Sequence, residues 1–306
     1  MTTVDAQTHK RQATQRPSGS SLPRATFPTY GGSSAATPGY GSTPSPGYSP
    51  SAGAYGQSGG GTSALPQYSG LNLNGAMSHA RGVAEVYPPG EPSLNGALVR
   101  WDARRFPLKI WISEGKKLPD VPWEVIVNDR VPRVVGMLQN NPNALYELPA
   151  APGWTEHVNE LAASGFELWR DLEKEGVISF VFADDPRNAD ILVFFTDKFQ
   201  GADGPGGTSV HGQTYGQVFT PEQVTQKINL RQHTVPVVME LKVDANEQDF
   251  VANAAHEFGH ALGIKAHSEY MDDLMYVNRN IARQPSPSDK ATVRWLYKQT
   301  PRLWYF

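Results

Sequence analysis

The sequence predicts an α+β fold in which helices pack against a mixed, twisted sheet. Short runs at 106–112, 177–183 and 189–196 have the apolar character of strands. Between the first two runs, apolar residues recur every three or four positions over 154–175 and predict one long helix, which Gly176 ends. A strand, a long helix and then two closely connected strands are typical of a mixed sheet with a helix packed on it.

Two further strands follow in the second half of the chain. The patterns of residues 224–231 and 234–243 both indicate extended structure. The segment 120–150 gives no clear prediction, because prolines and asparagines interrupt its pattern.

Two helices are predicted near the C-terminal end of the sequence. Residues 244–263 form one, because Asp244 and Glu247 have the spacing of an N-cap and its reciprocal partner. The segment 286–299 forms the other, with Ser286 as N-cap and a proline at the first helical position.

The composition divides the chain into regions. Between Ala25 and Ala80 there is no Asp, Glu, Lys or Arg, and Gly, Ser, Pro, Thr and Ala dominate. Because so little aliphatic surface cannot offset the entropy of ordering, we predict a disordered arm over 1–80, a linker or entry segment over 81–104 and one folded domain over 105–306. Spaced tyrosines leave two interpretations of the arm open: a flexible tether, or a set of sites for self-association or for binding a carbohydrate or cell-wall surface.

Charge and composition exclude several classes of function. A formal net charge of −3 argues against the basic face that a nucleic-acid-binding module needs. The chain has no cysteine, so a metal site must use His, Asp or Glu. No run approaches the roughly 18 apolar residues that span a bilayer. Because a hydrophobic signal core is also absent, we expect a cytoplasmic protein or one exported by a non-classical route. We also expect a monomer.

The strongest chemical signal is "HEFGH", which lies on the helix predicted over 244–263. His256 and His260 are one turn apart and project from the same face, so both imidazoles can bind one Zn²⁺. Glu257 is next to the first histidine and need not bind the metal itself. That position suits a general base acting on a water.

The residues after the second histidine indicate a third ligand. Gly263 can adopt a positive φ, end the helix and turn the chain back. His267 follows this turn and can approach the metal from another direction, as a tetrahedral site with one open position requires. Glu269 and Asp272 are the alternative oxygen donors for this place.

The stretch "HEFGHALG", followed by His-Ser and then by "LMY", resembles the metzincin clan of zinc endopeptidases, most closely its matrixin branch. The resemblance implies that the catalytic zinc is bound by His256, His260 and His267. It implies that Glu257 activates a water and that Met275 forms the apolar floor of a tight Met-turn. It also implies a metzincin-like fold with an active-site helix and a C-terminal helix.

This chain departs from the clan's pattern at two places. The third histidine comes one residue late, but Met275 keeps its register to His267, so the extra residue lies in the loop before the ligand. A structural zinc site of the matrixin kind needs several histidines before the active-site helix, and only His211 and His233 lie there. Asp203, in "DGPGG", is a candidate calcium ligand or a turn-capping residue.

These observations predict a zinc-dependent endopeptidase that hydrolyses a protein or peptide substrate through a water activated by Glu257. An extended substrate would pair with an edge strand, for which 211–219, 224–231 and 234–243 all remain candidates. Two alternative functions stay open. One is a zinc-binding recognition module with little catalysis, and the other is a zinc hydrolase acting on a non-peptide bond.

Overall fold

The computed structural model describes residues 84–200, 210–229, 235–243, 245–277 and 282–305. The predicted arm, the candidate calcium ligand Asp203 and the candidate N-cap Asp244 lie outside these residues. Among the described helices, none is long and apolar enough to cross a membrane.

Seven strands, seven α-helices and three short 3-10 helices make up the described regular structure. The strands are β1 (Val99–Trp101), β2 (Leu108–Ile112), β3 (Phe180–Phe182), β4 (Ile191–Thr196), β5 (Gly212–Tyr215), β6 (Val237–Lys242) and β7 (Leu303–Tyr305). The helices are α1 (Trp123–Asn140), α2 (Ala144–Glu147), α3 (Glu156–Glu167), α4 (Arg170–Lys174), α5 (Pro221–Asn229), α6 (Glu247–Ala261) and α7 (Pro287–Lys298).

Five strands form one mixed sheet in the order β3-β2-β4-β6-β5. The first four are parallel, and β5 runs antiparallel to β6 at the edge. Every residue of β4 and β6 is buried, as expected of central strands with both faces covered. The predicted α+β class with a mixed sheet is confirmed.

The side chains of β4 alternate between two apolar cores. Ile191, Val193 and Phe195 face the core that α3, α4 and α6 build, whereas Leu192 and Phe194 face the core that includes α1 and α2. The sheet is therefore the middle of three layers. Both of its faces are covered. At the β5 edge, the sheet borders a cleft.

One predicted strand is wrong. Residues 224–231 were expected to be extended, but Pro221–Asn229 forms helix α5. The Thr220 backbone N–H donates to Gln223 Oε1 at 2.9 Å, and the Gln223 N–H approaches the Thr220 hydroxyl at 3.4 Å. This reciprocal capping box, with proline at the first helical position, is a local helix-start signal that outweighs the apparent alternation.

The predicted long helix over 154–175 is two helices, α3 and α4. The break coincides with a tighter turn, in which the N–H groups of Leu168 and Trp169 donate three residues back, to Gly165 O and Phe166 O. Trp169 is fully buried, and its Nε1 donates to Ala255 O in α6 at 3.0 Å. The interruption between α3 and α4 thus coincides with the buried Trp169 side chain and its bond to α6.

Of the two predicted helix starts, one is wrong and one is confirmed. Helix α6 was expected to be capped by Asp244, but it begins at Glu247 and its N-cap is Asn246, whose side chain accepts from the Asp249 N–H at 3.0 Å. The predicted cap of α7 is confirmed, because Ser286 and Asp289 form a complete capping box. In the unassigned segment 120–150, the structure has α1, which contains Pro132 within its length.

The described part of the predicted linker over 81–104 contributes to the core. Trp101 is fully buried, and its Nε1 donates to Ala261 O at the end of α6 at 2.8 Å. Strand β1 pairs in parallel with β7, near the other end of the described chain. A strand of three residues is too short to show an alternating pattern. Its partner lies about two hundred residues away, so no local signal predicts the pairing either.

The close contact of α3 with α6 depends on Gly165, where a Cβ atom would lie 2.6 Å from Val251 O. We expect Gly165→Ala to lower the free energy of unfolding by about 1–3 kcal/mol, because the backbones must separate. The matched control is Gly136→Ala in α1, where no atom lies within 4 Å of the added carbon. That change should stabilise by up to about 1 kcal/mol. Denaturant unfolding measures both, and equal effects would contradict the close contact.

Candidate metal centre

Helix α6 positions two of the predicted ligands. Its apolar stripe, formed by Phe250, Ala254, Phe258 and Ala261, is buried against α3 and the sheet. This burial fixes the rotation of the helix about its axis. With the rotation fixed in this way, the face of the helix that carries the histidines is turned toward the cleft beside β5.

At the end of α6 the chain reverses through Gly263, which has φ of +112°. The Ile264 N–H donates to Gly259 O at 3.1 Å, and the Gly263 N–H donates to His260 O at 3.0 Å. These two bonds form a Schellman motif. A Cβ atom on Gly263 would lie 2.3 Å from Val99 O, so both the backbone conformation and the contact require glycine.

The reversal brings His267 to the two histidines of α6. Nε2 of His260 lies 3.1 Å from Nε2 of His256 and 3.3 Å from Nε2 of His267. Nitrogens that bind one tetrahedral zinc at about 2.0–2.1 Å lie about 3.3 Å apart. Within the described residues, these three form the only group of at least three His, Cys, Asp or Glu side chains placed to hold a metal ion.

The tautomers of the two helix histidines fit a metal site. Nδ1 of His256 lies 2.7 Å from Leu274 O, and Nδ1 of His260 lies 2.5 Å from Ile264 O. Because a carbonyl oxygen only accepts, each Nδ1 carries the proton and each Nε2 presents a lone pair. Two lone pairs that face each other at 3.1 Å repel, and an electrophile between them removes the repulsion.

Burial keeps the three imidazoles neutral. It lowers the pKa of His256 to about 4, and it lowers the pKa of His260 well below its ordinary value, with the neighbouring histidines adding to the effect. Burial also lowers the pKa of His267. Neutral imidazole is the form that binds a metal, so the unprotonated set is present at neutral pH.

Glu257 is nearly buried, with 6% of its surface exposed. Its carboxylate accepts a hydrogen bond of 2.7 Å from the Thr214 hydroxyl of β5. Burial raises the pKa of Glu257 to about 7, and the bond from Thr214 opposes this shift. Gly212 allows the approach of the strand, since a Cβ atom there would lie 2.6 Å from Glu257 Cγ.

Met275 packs against helix α6 at Gly259, which lies between His256 and His260 along the helix. It is fully buried, and a Cβ atom on Gly259 would lie 2.4 Å from its sulfur. The loop that separates it from His267 is closed by a bond of 2.8 Å from the Ser268 N–H to Met275 O. Met275 therefore packs against α6 next to the two histidines, and its role as the floor of the site stays a prediction.

Sequence reasoning missed the residues that support this loop. Asp289 is fully buried, accepts from the Leu274 N–H at 2.8 Å and accepts from the Tyr87 hydroxyl at 2.6 Å. Since Leu274 O in turn binds His256, Asp289 and Tyr87 act on the triad through the backbone of Leu274. The capping spacing of Ser286 and Asp289 was visible in the sequence, but these distant contacts were not.

The alternative ligands are not part of the triad. Glu269 and Asp272 are exposed and do not belong to the group that could hold a metal. Nothing in the described residues supports a calcium site.

A cavity of about 600 Å³ opens beside the triad, and His260 and His267 line it. Residues 213–218 of β5 and the following loop form one wall. Helix α1 adds Val127, which is 63% exposed, and the N-terminal segment adds Leu94. The metal-binding group thus faces a cleft along the edge of the sheet.

The family model for the matrixins matches residues 146–298. The matched half of the chain includes β3 to β6, the triad on and after α6, and the whole of α7. No curated protein matches the chain. The predicted metzincin-like fold is confirmed by this match, and the chain belongs to the matrixin family of zinc-dependent metallopeptidases.

Proposed function

We propose that this protein is a zinc endopeptidase in which His256, His260 and His267 bind the metal and Glu257 is the general base. The observation that carries the proposal is the convergence of three histidine Nε2 atoms beside a cleft that His260 and His267 line. Membership of the matrixin family supports the same activity.

Zinc, when bound, supplies Lewis-acid chemistry: it polarises a carbonyl group and lowers the pKa of a water. Glu257 takes a proton from that water and later delivers it to the leaving amide nitrogen. A carboxyl group whose burial raises its pKa to about 7 can both accept and release a proton near neutral pH. Thr214 holds this carboxylate in place through its hydrogen bond.

The cleft favours an extended peptide. In the described part of the chain, β5 has a strand partner only on the side of β6, so the backbone groups of its other side are open to a peptide. Of the three segments considered from the sequence, the second contributes residues 224–229 to helix α5, and the third contains the interior strand β6. The proposal therefore assigns substrate pairing to β5.

We expect His267→Ala to weaken zinc binding by more than about 100-fold, because loss of a ligand should exceed the cost of an outer-shell change. Competition with a chromophoric zinc chelator measures the affinity. The matched controls are Glu269→Ala and Asp272→Ala, which should leave zinc binding unchanged. Release of zinc by either control, with binding kept in His267→Ala, would assign the third ligand to an oxygen donor.

We expect Glu257→Ala to retain stoichiometric zinc and to lower the rate of peptide cleavage by about 10²–10⁴-fold, the usual contribution of a general base. Cleavage of a peptide library, with and without a zinc chelator, measures the activity, and Glu269→Ala controls for loss of a nearby carboxylate.

Two results would contradict the proposal. Absence of chelator-sensitive cleavage by the unmodified protein would favour a recognition module. Cleavage of ester substrates alone would indicate a different hydrolase.

A further inference from the structure

Among the described residues that line the cleft cavity, Lys265 is the one cation and Glu91 is the one carboxylate. Lys265 lies in the loop between Gly263 and His267, and this loop is one residue longer than the family pattern. Only 13% of its side chain is exposed. An ammonium group so largely removed from water costs free energy unless an anion or an acceptor faces it.

The backbone holds Lys265 in a defined place. Its N–H donates to Pro89 O at 2.7 Å, so the loop is tied to the N-terminal segment of the folded domain. Its Nζ lies 5.9 Å from the ring centroid of the buried Tyr305, and the Tyr305 side chain also forms a hydrogen bond with Lys265. The backbone is thus held by Pro89 and the ammonium by Tyr305, a neutral partner that leaves its charge uncompensated.

Two carboxylates, Glu91 and Glu257, interact electrostatically with Lys265, and the ion pair with Glu91 is loose. Glu91 Oε2 lies 4.0 Å from Nζ, which is longer than the roughly 2.7–3.2 Å of a direct hydrogen bond. The other oxygen of Glu91 is occupied, since it accepts from the Ser93 N–H at 3.2 Å and from the Ser93 hydroxyl at 2.7 Å. Glu91 is therefore held by the turn that it caps, and cannot move fully onto Lys265 without leaving that turn.

From this geometry we infer that Lys265 is a specificity-determining residue, which binds an acidic side chain of the substrate near the cleaved bond. The inference rests on the proposed endopeptidase function. A carboxylate in the cavity would give Nζ a direct, charge-assisted hydrogen bond in a partly desolvated place. Val127 and Leu94 on the opposing walls offer apolar surface to the methylene groups of such a side chain.

The test compares peptides that differ only by Glu or Gln at one position on either side of the cleaved bond. Binding is measured by fluorescence anisotropy with zinc-loaded Glu257→Ala protein, and cleavage is measured with the unmodified protein. At one position at least, we expect the Glu peptide to bind about tenfold more tightly, as one charge-assisted hydrogen bond allows. Lys265→Met, which keeps the aliphatic stem, should abolish this preference.

Two further variants complete the test. Lys298→Met removes an exposed lysine of α7 outside the cleft and should leave the preference unchanged. Glu91→Gln removes the competing carboxylate and should strengthen the preference for the Glu peptide. Zinc content and thermal unfolding are measured for each variant. If Lys265→Met does not retain zinc, the opposite effect of Glu91→Gln decides the question.

The outcomes separate the inference from the function on which it rests. Cleavage without any preference for Glu, or the same preference in Lys265→Met as in the unmodified chain, overturns the inference and leaves the endopeptidase in place. Selective binding of Glu peptides without cleavage overturns the endopeptidase and supports the acidic subsite. An unchanged preference in Glu91→Gln also counts against Lys265.

Discussion

At the C-terminal end of α6 the chain turns back through Gly263, and the position of the metal-binding group depends on this reversal. The two bonds of the Schellman motif end helix α6 at Ala261, one residue after His260, and the close approach of Val99 O to Gly263 leaves no room for a side chain. The three residues between Gly263 and His267 are enough to return the third imidazole to the other two. An additional residue is tolerated because it lengthens a loop whose two ends remain tied.

The ligands depend on backbone carbonyls that belong to other segments. Leu274 O orients His256, and the Leu274 N–H is itself held by Asp289 of α7. Because each bond specifies which ring nitrogen carries the proton, the Nε2 atoms are preorganised for a metal. Tyr87 extends this network to the N-terminal segment, so residues at both ends of the folded domain support the same site.

Burial has opposite consequences for the two kinds of titratable group in the centre. It favours neutral imidazoles, which are the form that can bind a metal, and it raises the pKa of Glu257 toward neutrality, which suits the acid–base role that we propose for it. A metal ion changes this balance by introducing positive charge. The Glu257 carboxylate is held by a neutral donor, the Thr214 hydroxyl, on the edge strand where we place the substrate.

The cleft combines two parts of the chain. The family match covers β5 and the triad, whereas α1 and the segment around Leu94 lie before the matched residues. Helix α1 covers the second face of the sheet and also supplies Val127 to the cavity. The part of the chain that the family shares thus holds the candidate metal centre, and the preceding part shapes the cavity beside it.

Signals confined to a few residues were enough to predict much of this protein. The pair of histidines with its glutamate, the glycine that ends α6 and the proline and serine that begin α7 each act through contacts within one or two turns. Physical rules for such contacts are local, so the α+β class and the candidate triad could be predicted without a structure. The same rules failed at α5, where a capping box and an apparent alternation competed over the same few residues.

Other features were decided only by the tertiary structure. Trp101 contacts Ala261 across 160 positions, and Tyr87 contacts Asp289 across 202, and no local pattern encodes either pair. The choice of β5 as the edge strand depends on which strands pair, and the proximity of Lys265 to Glu91 depends on where the N-terminal segment crosses the loop. The sequence by itself determined which residues could bind a metal, because that depends on residue type and spacing. Folding decided what surrounds them, because burial and charge at a site are set by segments that are distant along the chain.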